Sequence, residues 1–559
     1  MPMPDILLLP LDDRPVTYDY PRWLGQAAGL NVIAPPREWL GNPWRPSAAE
    51  PLRAWLAEMA PAADGLIVSI DTLGYGGLIP SRRSPASVEE TLAHLEVLRK
   101  LKQQRPDLRI LAVNVLLRVN RSDNAEEERP YFATYGRRLF RLSYLSHKGA
   151  LGEASAAEQA EHAALIGDVP ADIVADYRAL RARNHAINRA MLGWLKEGVF
   201  DYLLIPQDDT AEYGWNIAEA RALRALIETE GLTNRASVYP GADEVSLLLL
   251  ARFACQQASF SPRVWTRYSG VNGPCAVTVY EDRPFEELIK AHLGPLGGVL
   301  VSSPEQANLT VMVNAPAELQ AEAGWQRLVR GSLDKDHVPV GSLVDSLPAD
   351  ESIRTVRREM ESVGRDLNEF ARAITLELTS SRPVVLVDVV FVNGADLALS
   401  ERLLRDVDVA RLAAFAGWNT AGNSLGCALA QGIARAIALQ RGGTREQLAA
   451  HLGFLLLRFI DDAAYQSDAR SLLMARDLPE LGIAPTMLRL GDGVLPEVTV
   501  RLANRLGPPI DAWGRKFIGQ TLAVGPWDSA TVRAARLTQP YLPWGRLFEV
   551  GLTPEVELV

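Results

Sequence analysis

Short apolar runs alternate with helical stretches along most of this chain, and again and again the run stops at an aspartate. PDILLLPLDDRPV carries Ile6–Leu9 straight into Asp12, Asp13 and Arg14. The pattern returns at Asp71 in ADGLIVSIDTLGYGG, at Asp208 and Asp209 in DYLLIPQDDTAEYG, and at Asp388 and Asp396 in VVLVDVVFVNGAD. ASVYPGADE delivers Asp243 and Glu244 just past another β-rich run. Such alternation constrains the fold to βα units around a parallel sheet. Ligands in these folds sit outside the carboxyl ends of the strands, so distant segments would bring their acids to one face.

Candidate strands are Ile6–Leu9, Asn31–Ala34, Gly65–Ile70, Arg109–Leu116, Tyr202–Pro206 and Ala236–Tyr239, with Pro383–Val392 and Ala413–Gly417 later. Ser87–Gln104 reads as a helix with Leu92, Leu95 and Leu98 on one face. Residues 262–350 carry a small α/β pattern of their own, with runs at Ala276–Tyr280, Phe285–Leu293, Val299–Ser302 and Leu309–Val313. A long polar helix over Glu351–Thr379 returns from it. The expected architecture is α/β: a (β/α)8 barrel over 1–261 and 380–474, an inserted small α/β domain with its connecting helix over 262–379, and a small β-rich C-terminal domain over 475–559. An open doubly wound sheet is the alternative.

Composition narrows the chemistry. With 559 residues, more than one domain is expected. A net charge of −10 argues against a nucleic-acid binder, which needs a basic footprint. Neither GxGxxG nor GxxxxGK[ST] occurs, so nucleotide folds gain no support. The three cysteines lack CxxC spacing and no HExxH is present, so neither a metal nor a cofactor is expected. No apolar run has the length of a membrane span, and the first run reads as a strand rather than a signal peptide. A cytoplasmic protein without a membrane partner is expected, and self-association into a homo-oligomer is left open.

Asp208-Asp209 is the pair most suited to catalysis. Adjacent carboxyls can hold separated pKa values, one serving as general acid while its neighbour stays ionised. On a 2-acetamido sugar, one would orient the acetamido group, which attacks, while the other protonates the leaving oxygen. The plainer reading is a cap on the following helix. Asp12, Asp13 and Arg14 suit sugar hydroxyls or a local ion pair. Asp71 leads into glycines 74, 76 and 77 around Tyr75, a backbone that either approaches a ligand or makes a tight loop. Arg82 and Arg83 follow, able to hold an anion. Asn114, Arg118 and Asn120 are polar groups in or after an apolar run, needing partners inside the protein or on a ligand. Asp243 and Glu244 form either a second acid pair or a helix cap. Asn393, Trp418, Asn419 and Asn423 offer an indole floor with amide hydrogen-bonders for a pyranose, or else a core tryptophan with Asn423 as cap. Asp461, Asp462, Tyr465 and Asp468 read as a solvated or inter-domain helix face.

The set PLDDRPV, DTLGYGGLIPSR, QDD, GADE and AGWNTAGNSLG resembles, over nearly the whole chain, a large bacterial family known only as a domain of unknown function. That resemblance implies no particular activity. At fold level the barrel-and-Asp-Asp layout resembles bacterial β-N-acetylhexosaminidases. The expectation is therefore a glycoside hydrolase acting on a carbohydrate substrate, with Asp208 and Asp209 catalytic and the other residues shaping the sugar site. The rivals are a metal-dependent hydrolase or phosphoryl-transfer enzyme and a non-catalytic carbohydrate-binding protein.

Overall fold

The computed structural model describes residues 3–331, 349–484 and 489–559. The structure is mixed α/β, with two parallel sheets of five or six strands and a small antiparallel sheet near the C-terminus. The chain groups into two compact units. Unit 1 holds Met1–Tyr18, Asn31–Leu249 and Tyr280–Asp282; unit 2 holds Asp19–Leu30, Leu250–Val279 and Arg283–Val559.

Unit 1 is built on β1 (Asp5–Leu9), β2 (Asn31–Ile33), β3 (Gly65–Ser69), β4 (Arg109–Val113), β5 (Tyr202–Gln207) and β6 (Ala236–Pro240). Their order is β2-β1-β3-β4-β5-β6, every pair parallel. The central strands are buried along their length, as in GLIVS of β3 and YLLIPQ of β5. Parallel strands covered on both faces need such unbroken apolar text. One face packs Leu66, Val68, Ile110, Ala112, Leu203 and Ile205 against helical Leu95, Leu98, Ile187, Met191 and Leu223. The helix predicted from Ser87 runs over Val88–Gln104, and Ser87 with Glu90 closes a capping box at its start.

Unit 2 contains β7 (Arg263–Tyr268), β8 (Val299–Leu300), β9 (Leu309–Asn314), β10 (Ala321–Glu322), β11 (Val384–Asp388), β12 (Phe391–Val392) and β13 (Ala414–Ala416). Five of these pair in the order β13-β11-β9-β7-β8, while β10 and β12 pair separately. Counted from its own first strand, this sheet repeats the 2-1-3-4-5 order of unit 1. In both, the winding reverses between the first and third strands, and in open α/β sheets ligands bind in the crevice at that point.

The strands expected to complete a ring with β1–β6 therefore pair elsewhere. β11 and β13 share a sheet with β7 and β9, from the stretch expected as an insertion. An apolar run specifies that a strand is buried, not which strand lies beside it. The run at Ala276–Tyr280 forms no strand. The single helix expected over Glu351–Thr379 is two, Ala349–Glu361 and Leu367–Glu377, with Asp366 capping the second through the amides of Asn368 and Glu369. The C-terminal sheet is β14 (Thr521–Ala523), β15 (Ser529–Tyr541) and β16 (Gly551–Leu558), all antiparallel. Glu497–Arg501, grouped with that β-rich region by sequence, lies in the helix Leu495–Gly514. Among the described residues no helix is long and apolar enough to cross a membrane.

Candidate functional site

At the carboxyl edge of unit 1 the ends of β1, β3, β4, β5 and β6 each contribute polar groups. After β1, Arg14 donates from Nε to both oxygens of Asp12 at 3.1 and 3.0 Å. Its Nη2 lies 2.6 Å from Oδ1 of Asp243, which follows β6. Thr17 adds a hydroxyl donor to Asp12 at 2.7 Å. One guanidinium thus ties together the ends of β1 and β6, and burial still raises the Asp243 carboxyl above its ordinary range. Asp13 is half-buried. Glu244 is buried and accepts from the Tyr239 hydroxyl at 3.2 Å.

Asp71 sits in the helix Ile70–Tyr75 that begins where β3 ends. Its Oδ2 accepts from the Val115 amide at 2.8 Å and from Asn114 Nδ2 at 3.4 Å. Its Oδ1 is buried without a hydrogen-bond partner among the described residues. Burial pushes this carboxyl up to about 7. Asn114 in turn accepts from Asn188 at 2.8 Å, so it has partners inside the protein. Tyr75 is buried under the Arg183 guanidinium, 4.6 Å from the ring centre. The glycines around Tyr75 answer to the chain itself. A Cβ on Gly76 would lie 2.4 Å from Pro46, and one on Gly41 would lie 1.8 Å from the Gly76 carbonyl oxygen. Gly76 also has φ +101°, and Ser47 donates to its carbonyl at 2.9 Å.

After β5, Asp208 and Asp209 occupy a turn pinned from two sides. Thr210 donates from its amide and hydroxyl to the Tyr280 carbonyl at 2.9 and 2.7 Å. The Asp208 amide reaches the Leu116 carbonyl at 3.4 Å. Asp209 is held at φ +43°, a left-handed conformation that costs a non-glycine residue energy and that clusters at functional positions. Neither aspartate caps the next helix, which begins at Trp215 with Gly214 before it and no side-chain cap.

Two arginines face the pair. Arg82 donates to Asp208 at 2.6 Å and to Glu127 at 2.8 Å. Arg118 donates to Asp209 at 3.0 Å, to Glu127 at 3.0 Å and to Glu128 at 2.9 Å. Four carboxylates thus meet at two guanidinium groups, and the Arg121 charge also acts on Asp209. Burial, with Asp208 adding repulsion, raises Asp209 to about 6 despite Arg118. The Asp209 side chain keeps 26% of its area exposed, against 12% for Asp208, so Asp209 is the more reachable of the two. Arg83 is spent on the carbonyls of Pro43, Ala125, Glu126 and Glu128. Asn120 accepts from the amide and hydroxyl of Ser122 within its own turn, at 3.0 and 2.9 Å.

Glu127 and Glu128 were missed in the sequence. Their run in SDNAEEERP reads as solvated charge, yet Glu128 is 3% exposed. The signal was Arg118 ten residues earlier in a buried run, which requires a counter-charge.

The remaining predicted residues belong to unit 2. Asn393 takes φ +61° and donates from Nδ2 to both oxygens of Glu322 at 3.2 and 3.1 Å. Its amide donates to the carbonyl of Asn419, itself at φ +49°. Trp418 is 3% exposed and lies 5.6 Å from Arg458, so its indole is buried rather than a floor open to solvent. Thr420, not Asn423, caps the helix Ala421–Arg441, accepting from the Asn423 amide. Asp461 and Asp462 are buried and paired with Arg458, which corrects the solvated reading of that face, and the backbone there is π-wound over Phe459–Ala469. Tyr465 is buried with its hydroxyl on the Leu547 carbonyl at 2.7 Å, and Asp468 pairs with Arg327. At the edge of the second sheet, Asn314 donates to Asp388 at 3.0 Å while Arg365 donates to Asp396 and Asn314, both at 3.0 Å.

Among the described residues no three His, Cys, Asp or Glu side chains converge so as to hold a metal ion. What unit 1 does offer is an acid-rich strand edge on which burial raises Asp209 to about 6 and Asp71 to about 7.

No curated protein and no solved structure matches the chain. The model of a family described as "Protein of unknown function (DUF4127)" matches residues 6–553, and with nearly its whole length covered the chain belongs to that family.

Proposed function

We propose that the protein is a hydrolase of glycosidic bonds that works at the carboxyl edge of unit 1, with a carbohydrate as substrate. The observation that carries this reading is the Asp208-Asp209 turn: two adjacent carboxyls, one ion-paired with Arg82, the other more exposed and raised to about 6. Asp209 is the proton donor to the leaving oxygen. Asp208 is the carboxylate that orients the attacking group, which on a 2-acetamido sugar is the acetamido oxygen. Arg14, Asp12 and Asp243, tied to one another, brace the sugar site from the ends of β1 and β6. A metal-dependent route gains less support, because each member of the pair already faces a guanidinium.

The strand order favours the open doubly wound sheet over a closed (β/α)8 ring. A ring would place β1 between β2 and the last strand, whereas β1 here lies between β2 and β3. A cytoplasmic setting goes with the proposal.

The test is a panel of aryl glycosides assayed with and without chelator, on the natural chain and on Asp208→Asn and Asp209→Asn. Turnover that both variants lose and chelation leaves alone supports the reading. Full activity in both variants would sink it.

A further inference from the structure

Beside the carboxylate cluster, unit 1 has an open pocket of about 600 Å³ lined by Trp44, Arg83, Ala125, Glu126, Glu128, Arg129 and Pro130. Trp44 is 47% exposed and is the one aromatic side chain of that lining. The turn that carries the indole is also well braced. Asn42 accepts from the amides of Trp44 and Arg45 at 3.0 and 3.1 Å, and its own amide donates to the Arg45 carbonyl at 2.9 Å. Pro43 fixes the first corner of that turn. Arg83 then bolts the turn to the opposite wall, donating to the Pro43 carbonyl at 2.9 Å and to those of Ala125 and Glu128 at 3.1 and 3.0 Å. Arg129 is fixed to Asp176 at 2.6 Å. Preorganised walls lower the ordering cost of binding.

Glu128 joins this pocket to the acid pair. It lines the pocket and receives Arg118 at 2.9 Å, and Arg118 holds Asp209 at 3.0 Å. An exposed aromatic plate with carboxylate, guanidinium and carbonyl groups around it suits a ligand with an apolar face and a polar rim. A pyranose ring has both: its C–H face stacks on the indole and its hydroxyls bond the rim. A purely apolar ligand would offer nothing to that polar rim.

We propose that the Trp44 pocket is a sugar subsite, so that the substrate is an oligosaccharide held across more than one ring, with a neighbouring sugar on Trp44 while the scissile bond meets Asp208 and Asp209. This rests on the glycosidase reading above and specifies its substrate class. It predicts that binding strengthens with chain length.

The test measures binding separately from turnover. Short linear oligosaccharides of neutral hexoses and of 2-acetamido sugars, from disaccharide to hexasaccharide, are titrated calorimetrically into the Asp208→Asn/Asp209→Asn protein. Trp44→Ala and Trp44→Phe are then added on that background, with thermal melting as the check on folding. We expect affinity to rise with chain length, Trp44→Ala to weaken it by about thirtyfold, and Trp44→Phe to restore most of it. Binding that ignores Trp44→Ala in a folded protein overturns the subsite, and so does the absence of binding to every oligosaccharide. Aryl-glycoside turnover by the natural chain reports on the acid pair independently, so loss of the subsite and loss of the hydrolase reading are told apart.

Discussion

At the edge of the second sheet Arg365 spends its guanidinium on Asn314, Asp396 and the Glu359 carbonyl, while Asp388 receives Asn314 and the Asp396 amide. At the edge of the first, Arg82 and Arg118 serve four carboxylates and leave Asp209 partly exposed. Both sheets share one strand order, and both edges use Asp, Asn and Arg at strand ends. In unit 2 the Arg365 and Asp396 side chains are 3% and 0% exposed, so the polar cluster there works as a buried fastening. The difference teaches that the number of charges at such an edge says little about function. What separates the two edges is exposure: the Asp209 side chain keeps 26% of its area open, while Asp396 is fully buried.

The sharpest way to break this comparison is to neutralise one acid on each edge. Asp209→Asn should lower glycoside turnover by about 10²–10⁴-fold, the range for loss of a general acid. Asp388→Asn should leave turnover in place; steady-state kinetics on both would show a reversed pattern if the edges had been assigned the wrong way round.

Stability should run the other way. Arg365→Met strips a buried acid of its partner and should cost about 3–5 kcal/mol in urea unfolding. Arg118→Met should cost less, because its cluster is more open to water. Instead it should push the Asp209 titration further up. In the natural chain turnover should fall as pH rises through about 6, when Asp209 loses its proton. In Arg118→Met that fall should move to higher pH, and a pH–rate profile that stays put would argue against Asp209 as the acid.

A subtler contrast lies in the pH dependence of stability. Burial and the Asp396 charge raise Asp388 from its ordinary 3.8 to about 8. The folded state therefore holds this proton more tightly than the unfolded chain does. The stability it contributes is complete below about 4 and is lost as pH rises through about 8. Asp388→Asn should flatten that decline between pH 5 and 8.5 in denaturant titrations. Asp71, raised to about 7, adds a decline of the same sign from unit 1. The smallest effect expected is that of Thr420→Ala, which removes a helix cap in unit 2 at about 1 kcal/mol and should leave turnover unchanged.

Much of this was legible in the sequence, and the limits have physical causes. Strand positions follow from buried apolar text, so β1, β3, β5 and β6 fall where expected, with Asp12, Asp71, Asp208 and Asp243 just beyond them. Pairing partners depend on contacts across hundreds of residues, and nothing local in Val384–Asp388 says that β9 rather than β6 lies beside it. The break between Glu361 and Leu367 was written as Gly364 and Asp366, but a strong helical period masked it. Trp418 and Trp44 look alike as letters. One is core and the other half-exposed because of what the rest of the fold lays over each. Glu127 and Glu128 carry no local mark of burial; pairing with Arg82 and Arg118 draws them in.

The Tyr20 hydroxyl donates to Asp461 at 2.8 Å across 441 positions of chain, and the Tyr20 ring packs on Phe454. Residues 19–30 thus belong to a unit whose other members are encoded beyond residue 249. At ribosomal speeds of about 5–20 residues per second, the first tens of residues wait on the order of half a minute or more for those partners. During that interval the Tyr20 side chain, 3% exposed in the folded protein, lacks that cover. A chain truncated near residue 250 would leave Tyr20 without Asp461 and Phe454 permanently.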